Sequence, residues 1–276
     1  KEQIEQVNEI WYTLNIPQRD SAYAIYENFP AILDQWDVMN ICAYQDTEKD
    51  GILKILNISN SHGQDAIWQL PMVLSAEMPE QEYVIVEMYQ SYALTEHIQA
   101  AKADSPVYHY QVNTGGFWQT VTTEMPLSEG LLSQNWDYIM MNESSRHLGL
   151  ESKMSQGMVD WFADYIMDHV GHNPKLLYDM TWASPTDERF YTDGTRQQAT
   201  ATFKGTYTKD YGFDHVNHYN QLVALTKKYI IPNEKFHMVM FNATPVQYAG
   251  EVLGVPQYEA TQTFDLYRDY THISDY

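Results

Sequence analysis

Two short segments near opposite ends of the chain carry side chains able to do nucleophilic chemistry together. Ser59-Asn60-Ser61-His62-Gly63 follows the apolar run that begins at Ile52, and Asp269-Tyr270-Thr271-His272 sets a carboxylate three residues before an imidazole. A serine hydroxyl needs a base to take its proton, and the base needs an acceptor that fixes its tautomer. A turn brings positions i and i+3 together, so His272 and Asp269 can supply both from one loop, with Ser61 as nucleophile. A serine between a strand and a helix stands at the carboxyl edge of a parallel sheet, where open α/β folds bind ligands. It also stands near a helix N-terminus, which stabilises developing negative charge. The structural alternative is that Asn60 or Ser61 caps the following helix.

The elements that must position these residues alternate in type. Apolar, β-branched runs predict strands at Leu53–Ser59, Tyr83–Tyr89, Tyr138–Asn142, Lys175–Thr181 and Phe236–Phe241. Amphipathic spacing predicts helices around Ile67, Leu70, Val73 and Leu74, over 154–170 and over 213–230. Such alternation implies parallel βαβ units with right-handed crossovers. The expected architecture is a three-layer α/β/α sandwich around a mainly parallel, flavodoxin-like sheet, the five predicted strands making it five-stranded. Residues 1–50 read as a separate helical segment of unassigned role, broken by Pro17 and Pro30 and ending in a polar linker. Residues 51–276 then form the α/β/α domain.

In this order, the serine block and the terminal Asp-x-x-His resemble the SGNH (GDSL-type) hydrolases. The resemblance is narrower to a poorly characterised bacterial branch whose first block reads Gly-Asn-Ser. Asp137–Ser145, Met180–Ala183 and Ala243–Ala249 are similar to that branch more loosely. The resemblance implies a Ser61–His272–Asp269 triad that hydrolyses a small acyl ester, an acyl group on a carbohydrate among them, without metal or organic cofactor. It implies an oxyanion hole built from the backbone N–H groups of Ser61 and Ser91 and the side chain of Asn142, with Ser144 as the other candidate for that third place. Two positions depart from the pattern, since Ser59 and Ser91 stand where glycine is expected. A backbone N–H does not require glycine, but a serine at position 91 must avoid positive φ.

Other constellations compete for a role. His62 follows the nucleophile and is a candidate to line the mouth of the site. Trp182, at the end of the fourth strand, is a candidate substrate wall, with a buried position as the alternative. Gly115-Gly116 marks a loop beside the pocket. Glu96 and His97 are expected on a solvated helix face. His215 and His218 share a helical face and suggest a weaker metal-hydrolase alternative, with surface histidines the plainer expectation. A second class altogether is a glycan- or partner-binding protein of the same fold with an impaired site.

Composition narrows the classes further. The formal charge of −21 opposes binding to nucleic acid or to anionic membranes. No apolar stretch approaches the length of a membrane span. Cys42 is the only cysteine, which excludes an intrachain disulfide and a cysteine-based zinc cluster. The 22 tyrosines and seven tryptophans suit stacking on sugar rings as well as core packing. A secreted or cell-envelope location in a bacterium is the expectation from the resemblance, with a cytoplasmic one as the alternative. So is a native chain that continues past Tyr276 into a further helix.

Overall fold

The computed structural model describes residues 50–144, 147, 150–183, 215–240, 242–251, 255, 266–267 and 272–273. The N-terminal segment, apart from Asp50, lies outside the described residues, and so does Cys42. The chain divides into two compact units, one of residues 35–181 and 221–242, the other of residues 1–34, 182–220 and 243–276.

The first unit is built on a seven-stranded sheet in the order β4-β3-β2-β1-β5-β6-β7. Its strands are β1 (Ile52–Ser59), β2 (Glu82–Tyr89), β3 (Tyr108–Asn113), β4 (Gln119–Met125), β5 (Tyr138–Asn142), β6 (Lys175–Asp179) and β7 (Phe236–Met240). β2, β1, β5, β6 and β7 run parallel, as the five apolar runs predict. β3 and β4 add an antiparallel hairpin beyond β2 that the apolar runs do not announce. The turn of this hairpin holds Gly115, at φ +102°, and Gly116. These glycines therefore close a hairpin and do not border the carboxyl edge of the parallel strands.

Helices α1 (Ser61–Trp68), α2 (Leu70–Glu77), α3 (Leu94–Lys102), α4 (Leu127–Leu132) and α5 (Gln156–His169) accompany the strands, α6 (His215–Leu225) has residues in both units, and α7 (Ala243–Glu251) belongs to the second unit. β1 is buried from Leu53 to Ser59, which explains its continuous apolar run: both faces of a central parallel strand are covered. On one face Leu53, Ile55, Tyr83, Ile85, Met140 and Leu177 pack with Ile67 and Leu74 of α1 and α2. On the other, Met88 meets α4 so closely that a Cβ on Gly130 would stand 2.0 Å from its sulfur. α3 and α5 bury Ile98, Ala101, Val159, Phe162 and Ile166. The result is an α/β/α sandwich.

The chain leaves β1 for β2 on one side, while β5 pairs on the other. The carboxyl ends of β1 and β5 thus form the switch point at which such sheets open a crevice. The loop from β1 into α1 and the residues after β5 project there.

In the second unit, Trp182, Leu266 and Tyr267 form an apolar cluster with Val246, Ala249, Val255 and Ile273. The Tyr267 hydroxyl donates to the Ala183 carbonyl, and Tyr267 pairs with Ile273 in an antiparallel bridge. On α7, Thr244 shares a 2.9 Å hydrogen bond with Tyr219.

Candidate active site

Ser61 is the first residue of α1 and is half-buried. The first N–H groups of a helix have no intrahelical acceptor, so the Ser61 N–H belongs to a set that seeks one elsewhere. Asn60 caps the helix: its Oδ1 accepts the His62 N–H at 3.1 Å, while its main-chain oxygen accepts the Gln64 N–H at 2.9 Å. The capping alternative is therefore realised at Asn60, and it leaves Ser61 at the outer end of the turn.

Asn60 also binds in two other directions. Its Nδ2 donates to the Tyr92 carbonyl at 3.0 Å, and its Oδ1 accepts Asn142 Nδ2 at 3.0 Å. One cap side chain thus joins the segments after β1, β2 and β5. Asn142 is fully buried and its amide also donates to the Glu143 carbonyl across a longer 3.3 Å. Both hydrogens of the amide are engaged, and an oxyanion would have to displace the weaker of the two contacts.

Ser91 is exposed, and its N–H donates to the Gln90 side chain at 2.9 Å. The requirement that serine avoid positive φ is met, because Asp104 is the only non-glycine with positive φ among the described residues. The loop carrying Ser91 is fixed at its far end by Glu143. Ala93 has no side chain able to cap α3, and Glu143 Oε1 takes that role from the end of another strand. It accepts the N–H groups of Leu94 at 3.0 Å and Ser144 at 2.6 Å. Glu96 completes the start of α3 by accepting the Ala93 N–H at 2.9 Å.

Beneath the turn runs a file of buried polar side chains that spacing along the sequence does not reveal. Asn57, Ser59, Glu87, Asn142 and Asp179 alternate onto the same sheet face, at the carboxyl ends of four adjacent strands. Asn57 Nδ2 donates to Glu87 Oε2 at 2.7 Å and to the Gly63 carbonyl at 3.0 Å. The Ser59 hydroxyl meets Glu87 Oε1. Burial pushes the Glu87 carboxyl up to about 8, against the smaller opposing effects of Ser59 and Asn57. Burial likewise pushes Asp179 up to about 7, against its hydrogen bond from Asn242 at 2.7 Å. The signal available in the sequence was a charged residue inside an apolar run, Glu87 between Val86 and Met88.

Gly63 lets α1 seat on this file. A Cβ there would stand 2.5 Å from Ser59 Cβ and 2.9 Å from Asn142 Oδ1, distances that real Cβ atoms do not adopt. Gly63 is a helix residue chosen for closeness.

Several expected residues stand elsewhere. His62 is buried, so it does not line an open mouth; its contribution to the turn is its main-chain N–H. Trp182 is 1% exposed within the apolar cluster of the second unit, a core position and not a substrate wall. His97 is buried, not solvated: it stacks on Tyr108 with ring centroids 5.6 Å apart and shares a 2.8 Å hydrogen bond with its hydroxyl. Burial pulls its pKa down to about 3, so it stays neutral. His218 is buried too, whereas a surface position was expected. Among the described residues no group of three or more His, Cys, Asp or Glu side chains is arranged to hold a metal. His272 is half-buried in the second unit, beside the Ile273 that pairs back onto Tyr267. Asp269 lies outside the described residues.

No protein-family model matches the chain, and no curated protein does. Among solved structures it is similar to a DUF4886 family protein from Bacteroides uniformis, at 22% identity and a TM-score of 0.63, covering 81% of this chain and 76% of that one. A protein from Slackia heliotrinireducens described as a candidate SGNH hydrolase matches at 12% identity and a TM-score of 0.42, over 81% of this chain and 91% of its own. The first of these shows a shared fold.

Proposed function

We propose that the protein is a serine hydrolase acting on a small acyl ester, with an acylated carbohydrate as its substrate class. The observation that carries this function is the setting of Ser61. It opens a capped helix directly after β1, at the switch point of the sheet, with an N–H that the helix itself cannot satisfy. In this mechanism Ser61 Oγ attacks the ester carbonyl while His272 takes its proton and later returns it to the leaving alcohol. Asp269 orients the imidazole and supports its positive charge. The oxyanion is held by the Ser61 and Ser91 N–H groups and by Asn142.

A second function, binding without catalysis, is favoured by one specific observation. The Ser91 N–H and the Asn142 amide both have acceptors within the protein. Hydrolysis of p-nitrophenyl acetate by the wild type, Ser61→Ala, His272→Ala and Asp269→Asn decides between them. The first two substitutions should each remove nearly all of an enhancement that reaches on the order of 10⁶ in a developed triad, and the third should cost less. No hydrolysis by the wild type, together with no labelling by a fluorophosphonate, would leave the binding function.

A further inference from the structure

Ser59 Oγ faces two oxygens, the Asn60 carbonyl at 3.0 Å and the carboxyl of Glu87. A carbonyl and an ionised carboxylate only accept, and a hydroxyl has a single proton to give. With Glu87 ionised, one of these contacts would set oxygen against oxygen with no proton between. The acid form resolves this, because Glu87 then donates to Ser59 Oγ and Ser59 donates to the Asn60 carbonyl. The other Glu87 oxygen still accepts from Asn57. We propose that Glu87 is held as the neutral acid and is a positioning residue for the turn that carries Ser61.

Glu87 reaches that turn at both ends. Through Ser59 it secures the Asn60 carbonyl, and through Asn57 it secures the Gly63 carbonyl, with Ser61 and His62 between them. Its surroundings favour the acid. Asn57 and Ser59 face it from β1, and Gln111 stands opposite it on β3, bonded to Gln64 of α1. Tyr89, two places along β2 on the same face, is a titratable group that interacts electrostatically with Glu87 and becomes an anion when it ionises. Burial, Glu87 and Asp65 all push the Tyr89 phenol up. The positioning role rests on the hydrolase function proposed for Ser61, whereas the protonation state does not.

The test compares wild type, Glu87→Gln and Glu87→Ala by amide exchange at His62 and Gln64 and by p-nitrophenyl acetate kinetics. A glutamine amide can donate to Ser59 and accept from Asn57, so Glu87→Gln should match the wild type below neutral pH in both measurements. Glu87→Ala should exchange faster at both amides and lose kcat on the order of 10²-fold with KM little changed, the effect of a nucleophile misplaced by about 1 Å. Above a pH of about 8 the wild type should lose protection at these amides while Glu87→Gln keeps it. Glu87→Gln as disrupted as Glu87→Ala, or indistinguishable from wild type at every pH, would overturn the proposal. Should Glu87→Ala fail to fold, the comparison of wild type with Glu87→Gln decides alone. If the wild type hydrolyses nothing, the hydrolase function falls, and amide exchange still decides the state of Glu87.

Discussion

Asn142 donates its side-chain N–H to Asn60 Oδ1 across 3.0 Å, tying the end of β5 to the cap of α1. Removing this donor separates two roles. Asn142→Ala forfeits a hydrogen bond with a net value of about 1 kcal/mol, a modest loss of stability. If Asn142 also serves the oxyanion, kcat should fall by roughly 10²–10³ with KM nearly constant. Urea midpoints measured beside steady-state kinetics distinguish a donor to the transition state from a strut that only holds the cap.

Gly63→Ala should be costly for a helix position at which alanine is ordinarily the better residue. The new methyl would meet Ser59 Cβ and Asn142 Oδ1, and α1 must lift to admit it. Overpacking of this kind costs about 1–3 kcal/mol. A thermal midpoint unchanged or raised in the variant would show that α1 does not sit as closely as described.

Glu143 caps α3 from the end of β5, and its loss should be felt in the Ser91 loop. Glu143→Ala leaves the Leu94 and Ser144 N–H groups without their acceptor, at a cost of about 0.5–2 kcal/mol for the cap. Glu143→Gln retains an acceptor oxygen and should lose less. Hydrogen exchange at Leu94, read by mass spectrometry or NMR, should accelerate in the alanine variant first.

The raised carboxyl of Asp179 makes stability depend on pH in an unusual direction. The folded form holds its proton up to about 7, against an ordinary value of 3.8. Between those values the folded protein binds more protons than the unfolded one, so stability falls as pH rises. The contribution is fully present below about 3.8, shrinks by about 1.4 kcal/mol per unit, and is gone above about 7. Asp179→Asn should flatten that part of the urea-midpoint profile. An equal slope in the variant would assign the dependence elsewhere.

Strand positions were legible because buried parallel strands are built on mostly apolar runs, and β1, β2, β5, β6 and β7 all carry them. β3 and β4 were missed for the opposite reason. Tyr108–Asn113 and Gln119–Met125 mix polar with apolar residues, as strands with one solvated face do, and Gly115-Gly116 between them signals a hairpin as readily as a pocket loop. The places of Ser61 at the start of α1 and of Asn142 at the end of β5 were legible from the apolar strands before them. The supports were not. Glu87, Asn57 and Glu143 act through partners distant in sequence, and spacing along one chain carries no trace of such pairings. Burial was hidden as well: His97 was expected on a solvated face, His62 at the mouth of the site and Trp182 as a wall or a buried residue, and all three are enclosed.

The Asn60–Asn142 bond joins positions 82 apart, and the Lys54–Asp137 bond beside the start of β5 joins positions 83 apart. β1 can pair with β2 after a short excursion through α1 and α2, but its other edge must wait for β5. Contacts across so long an interval are formed at a loop-closure cost and slow the folding of domains that depend on them. The cap of α1 closes locally, but its tie to β5 should form late on the way from the denatured chain. Helix content regained by diluting out denaturant should precede the protection of the Asn142 side-chain amide that bonds Asn60.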